Sequence, residues 1–168
     1  MSFAIVFFAL FAICQIMAAV NDALSMKIPN MISLALLAGF VLITPFAWVD
    51  FATFGEHVLV GLGVFAVAFG MFAAGWLGGG DAKLLAATAF WWQTADLFPY
   101  LLVTAIAGGA LAIFLMLGRR YIPVGVLTSP WLYRMFKDET KMPYGIALAI
   151  GALVTLPKSQ IYLALIGA

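Results

Sequence analysis

The chain has 168 residues, of which 66% are hydrophobic and only 9% charged, with a formal net charge of +1. Soluble domains are about 45–50% apolar and about 25% charged, so this composition excludes both a soluble globular domain and a disordered chain. The charge balance gives no case for a nucleic-acid partner, and the single cysteine, Cys14, excludes an internal disulfide or a Cys-based zinc site.

What remains is an all-α polytopic membrane protein. A spanning helix needs about 20 mostly apolar residues, so about six transmembrane helices use most of the chain and leave one domain over residues 1–168. Residues 3–20 are apolar apart from Gln15. No basic segment precedes them, so they read as a first transmembrane helix rather than a signal peptide. A polar stretch from Asn21 to Asn30 follows, and Asn30 is a candidate N-cap for a second helix over 31–48. A short link holds Asp50, Glu56 and His57, and a third helix covers 58–77.

The run Gly78-Gly79-Gly80-Asp81-Ala82-Lys83 interrupts the apolar pattern. Residues 82–95 are apolar but span only ~21 Å as a helix, against the ~30 Å hydrocarbon core. Residues 97–117 form a full-length span. A basic loop over 118–141 carries a short amphipathic stretch around Trp131, Tyr133 and Phe136, suited to the membrane surface. Residues 142–156 give a last span, followed by an apolar tail.

Charge decides whether 82–117 is one span or two. With two spans and an outer N-terminus, seven of the eight basic residues lie on the cytoplasmic side and only Lys158 lies outside, as the positive-inside rule requires. A helix that begins at a glycine run below the membrane surface implies a polar, partly wet cavity, because irregular backbone at that depth must line water or be covered by protein. Trp48, Trp91 and Trp92 then fall at outer helix ends and Trp76 at an inner end, the pattern of an aromatic belt. His57 falls at the outer interface.

In this topology Asp22 and Asp81 are the two acids that adjoin a span on the basic side. Asp50, Glu56 and Asp96 fall in outer links, and Asp138 and Glu139 in the basic loop, where solvated surface charge is the ordinary role. Two carboxylates held close share a proton and titrate as a pair. One can then take a proton from water while the other polarises a carbonyl. The bland alternative is two interfacial acids paired with Lys27 and Lys83. If Asp81 caps the fourth helix, the helix ends give the pair unequal roles, with charge on Asp81 and the proton on Asp22.

Three motifs resemble one family. Gly78-Gly79-Gly80-Asp81 is similar to the Gly-x-Gly-Asp signature of intramembrane aspartyl proteases. Asp22, followed five residues on by Lys27 and then Ile28-Pro29-Asn30, resembles a stretch of the type IV prepilin peptidases. Pro143-Tyr144-Gly145 resembles the start of that family's last helix. The order matches, and the resemblance covers nearly the whole chain.

The resemblance implies a prepilin leader peptidase of the bacterial inner membrane. It would be an aspartic endopeptidase that cuts between leader and mature pilin at the cytoplasmic face. Asp22 and Asp81 carry over as the catalytic pair. Gly78, Gly79 and Gly80 carry over as the active-site loop, and Lys27, Pro29, Asn30, Lys83, Pro143, Tyr144 and Gly145 as motif residues that support substrate or electrostatics. The partners implied are a prepilin and the lipid bilayer, with no cofactor and no metal. Larger members carry an N-terminal extension with paired Cys-x-x-Cys motifs linked to methylation. Its absence here resembles the short type associated with tight-adherence (Flp) pili. The alternatives are a small transporter or ion-binding protein using the same two aspartates, a presenilin-type peptidase, and a pilus-assembly scaffold without catalysis. The Lys27-Ile28-Pro29-Asn30 stretch argues against the presenilin type.

Overall fold

The computed structural model describes residues 2–47, 50–123, 129–137 and 142–166. Trp48, Asp138, Glu139 and Lys141 lie outside them. The described chain is all-α. Its helices are α1 (Ser2–Ser25), α2 (Asn30–Ala47), α3 (Phe51–Ala73), α4 (Gly79–Ala89), α5 (Thr94–Tyr121), α6 (Pro130–Lys137), α7 (Gly145–Thr155) and α8 (Gln160–Ile166), with a 3-10 turn at Leu156–Lys158.

Among the described residues three helices are long and apolar enough to cross a membrane: Ile5–Ser25, Phe51–Ala73 and Thr94–Tyr121. The segment Gly145–Lys158 and α8, bent by 43° at Ser159, qualify together as a fourth. Helix α2 is apolar but shorter, and α4, with 11 residues, is only about 16 Å long. Residues 82–117 thus divide into two helices, but of the two only α5 has the length of a span. Leu59, Phe65, Phe69, Ile106 and Phe114 are all more than half exposed. Such an apolar exterior belongs in lipid, which makes the chain an integral membrane protein.

The bundle is built around α1, α4 and α7. Helix α7 packs on α1, α4 and α5, and α4 packs on α2 and α3. The core joins Phe11 and Cys14 of α1, Leu36 and Phe40 of α2, Leu84 of α4 and Leu148 of α7 to Trp91 and Trp92. Those tryptophans are not interfacial anchors. Both have 0% exposure, and the Trp91 indole N–H donates to the Leu36 carbonyl at 3.1 Å. The short α4 ends inside the bundle, so the turn that follows it is core. Trp76, 79% exposed, keeps the place of an anchor.

Helix ends follow local chemistry. Asp50 caps α3 by accepting the Thr53 N–H at 2.7 Å, and this donor holds its carboxyl below the ordinary range. Gly75, at φ +76°, closes the other end, with the Trp76 N–H returning to the Met71 carbonyl. Helix α3 starts at Phe51, so Glu56 and His57 belong to its first turns rather than to a link. His57 is fully buried with Nδ1 3.0 Å from the Phe90 carbonyl, not interfacial. Glu56 accepts the Thr94 N–H at 2.9 Å. Asp96 is not solvated either: it forms a capping box with Gln93 and accepts the Gln160 N–H at 3.1 Å, which ties α8 to the start of α5.

Candidate active site

Helix α1 carries Asp22 in its last turn and stops three residues later. Met26 takes a left-handed conformation, φ +53°, which is strained for a residue with a side chain. Its N–H bonds the Asp22 carbonyl at 2.8 Å. Residues 27–29 then run without helix, as expected ahead of Pro29. Asn30 is the first residue of α2, not its cap. Its side chain instead accepts from the Lys83 ammonium at 3.1 Å, bridging α2 to α4. Lys27 and Lys83 are both exposed, and Lys83 bonds an amide, that of Asn30.

The glycine run lets α4 begin against this turn. Gly78, in extended conformation, is the N-cap of α4, and Asp81 sits in the first turn rather than at the cap. A Cβ on Gly78 would meet Asp81 Oδ2 at 2.7 Å. A Cβ on Gly80 would meet the Ile28 side chain at 3.2 Å and its backbone nitrogen at 3.4 Å. Glycine is needed here for close approach of α4 to the 27–29 segment.

The third motif completes the arrangement from α7. Pro143 is buried just before the helix. The Gly145 N–H donates to Asp22 Oδ2 at 2.7 Å, and Asp81 interacts with both that amide and Asp22. Asp22 and Asp81 are thus brought from α1 and α4 to the backbone amide that opens α7. Asp22 is 5% exposed, and Asp81 Oδ1 is buried with no partner among the described protein atoms. Tyr144 lies beside Asp81, and its ring packs where a Cβ on Gly108 of α5 would stand, 2.6 Å from the ring edge.

Two chambers meet at the pair. One is a cleft of about 1200 Å³, walled by Leu59, Gly63, Val67 and Met71 of α3 and by Leu97 and Leu101 of α5, with both aspartates at one end. The other, about 290 Å³, is polar, lined by Lys27, Asn30, Lys83, the three glycines and the same aspartates. Among the expected motif residues Pro29, exposed just before α2, and the buried Pro143 and Gly145 line neither chamber.

Some of the surroundings went unanticipated. Thr104, a lone hydroxyl in the middle of the α5 run, lines the cleft with the aspartates, and Met26 lines both chambers. The polar residue in an apolar span was the available signal for Thr104. Nothing local signals the strain at Met26. Among the described residues no three His, Cys, Asp or Glu side chains gather into a metal-binding group.

No curated protein and no solved structure matches the chain. A family model does, over residues 9–113, which include Asp22 and Asp81. Three motifs that meet at one pair of carboxylates, in a chain whose larger part fits that model, lead to one statement: the chain belongs to the type IV leader peptidase family.

Proposed function

We propose that this peptidase is an intramembrane aspartic endopeptidase that removes the leader from type IV prepilins of the Flp kind. It would act at the cytoplasmic face of the bacterial inner membrane, with Asp22 and Asp81 as the catalytic pair. The observation that carries the reading is the pairing of Asp81 with Asp22, which the Gly145 N–H holds at 2.7 Å, at the point where an apolar and a polar chamber meet. The apolar cleft suits the hydrophobic helix of a membrane-inserted prepilin. The polar chamber suits the extended leader at the scissile bond.

In this mechanism a water between the carboxylates attacks the scissile carbonyl carbon. One carboxylate takes the water's proton and the protonated partner donates to the carbonyl oxygen, giving a neutral tetrahedral intermediate. Collapse breaks the C–N bond: the leaving amine takes the proton gained from water, and one hydroxyl of the intermediate returns its proton to the other aspartate, which restores the pair. The hydrogen bonding reverses the roles that the helix ends alone suggest. Asp22 receives the Gly145 N–H, which suits the charged base, while Asp81 Oδ1 lacks a protein donor and suits the proton carrier.

Asp22→Asn and Asp81→Asn test the assignment. Each is expected to fold and to lose leader removal from a coexpressed prepilin by about 10²–10⁴-fold, the usual weight of a general acid or base. Full processing by either variant would contradict the dyad. Loss of ion flux in liposomes with processing intact would favour the transporter alternative.

A further inference from the structure

About two turns along α1 and α4 from the carboxylate pair, these helices and α5 bury a string of uncharged polar side chains that the mechanism above does not use. Gln15 of α1 has 0% exposure. Its Nε2 donates to Thr88 Oγ1 of α4 at 2.8 Å, but its Oε1 has no partner in the described protein. The Tyr100 hydroxyl, on α5, faces the hydroxyls of Thr88 and Thr104 without reaching hydrogen-bond geometry to either. Thr104, one turn along α5, is buried with its Oγ1 equally unpartnered. Three orphaned polar atoms from two helices thus cluster around one bonded pair, and Thr104 opens onto the cleft that holds Asp22 and Asp81.

Such atoms are costly to bury unpaired. Inside a bilayer no solvent compensates them from outside. Buried hydroxyls that face one another without a hydrogen bond keep bonding capacity for a bridging molecule, and a buried water typically makes about three hydrogen bonds. Its partners here would be a carbonyl-type acceptor from Gln15 and hydroxyls from Tyr100 and Thr104, which donate or accept as needed.

We propose that Gln15, Thr88, Tyr100 and Thr104 form an internal water site opening onto the carboxylate pair. Its ligand is water, and its role is to supply the nucleophile when a substrate helix fills the cleft and blocks access through it. The supply role rests on the peptidase reading; the water site itself does not. In turnover, the water between the carboxylates is consumed as its oxygen bonds the carbonyl carbon, one proton going to the base and the other staying on the new carboxyl group. A water from the recess then moves past Thr104 into its place. Thr104 is a positioning residue in this scheme.

Two measurements test it on the full chain in detergent. X-ray radiolytic labelling converts water next to a side chain into hydroxyl radical. Tyr100, with 0% exposure, is expected to be labelled in the intact protein and in the inactive Asp81→Asn variant, and to lose at least half of that labelling in Thr104→Val. An unlabelled Tyr100 overturns the water site. In prepilin cleavage, Thr104→Val is expected to lower kcat about tenfold at unchanged KM, and Thr104→Ser to restore it. A Thr104→Val enzyme with wild-type kcat overturns the supply role, as does one affected only in KM. If Thr104→Val does not fold, Tyr100→Phe takes its place in the kinetic arm with the same expectation. Labelled Tyr100 together with full cleavage by Asp81→Asn would overturn the peptidase assignment and leave the water site standing.

Discussion

Gly145 shows how much of the site hangs on one backbone position. Its N–H is the donor to Asp22, and a Cβ there would lie 2.9 Å from both Asp22 Oδ2 and the Ile28 side chain. Gly145→Ala must therefore push the carboxylate off its donor. Displacements of about 1 Å can cost 10²-fold in rate, so a fall in kcat of about 10–10²-fold is expected, read as prepilin cleavage at saturating substrate. Asp22, Asp81 and the glycines were legible in the sequence because each sits in a motif whose chemistry needs that residue type. Asp96 and His57 were not. Both looked like outer-surface groups, and both are buried by partners distant in sequence, Gln160 for one and the Phe90 carbonyl for the other. No local pattern carries such a pairing.

At the scale of elements, α4 and the α5–α7 contact decide the geometry. Helix α4 is short because it begins at Gly79 and ends at a buried Trp91-Trp92 turn, and this puts Asp81 at the level of the last turn of α1. The helix could be anticipated from the charge count on either side of it, whereas the burial of its far end could not. Helix α7 is held against α5 through two glycines, Gly108 under Tyr144 and Gly151 against Thr104. A Cβ on Gly151 would collide with the Thr104 hydroxyl and lie 3.1 Å from its Cβ and backbone nitrogen, so turning the hydroxyl away still leaves α5 to shift by a few tenths of an ångström. Gly151→Ala is expected to destabilise by about 1–3 kcal/mol, the usual cost of overpacking, read as thermal unfolding in detergent. Small residues that let helices approach are the ordinary means of association in a membrane.

Across the whole molecule, the walls of the large cleft, α3 and α5, stand apart for much of their length while both lean on the bundle. Gly63 faces this space, with nothing within 4 Å of where its Cβ would be. Gly63→Trp fills the cleft without touching the core. The expectation is a raised KM for prepilin, with stability within about 0.5 kcal/mol of the parent, as for substitutions away from packed features. Equal KM in parent and variant would show that the substrate helix lies elsewhere.

Composition alone made this a membrane protein, because a chain so poor in charge has no surface to offer water. The asymmetry of its few basic residues divided 82–117 into two helices, and three short motifs named the two aspartates and their glycines. Only the tertiary structure brought Asp22, Asp81 and Gly145 to one point, since residues from three helices share no local signal. It alone moved Trp91, Trp92, His57 and Asp96 from the interface to the interior. The reason is α4. Once a helix too short to cross the bilayer is packed inside the bundle, everything at its outer end becomes core, and its glycine end becomes the candidate site.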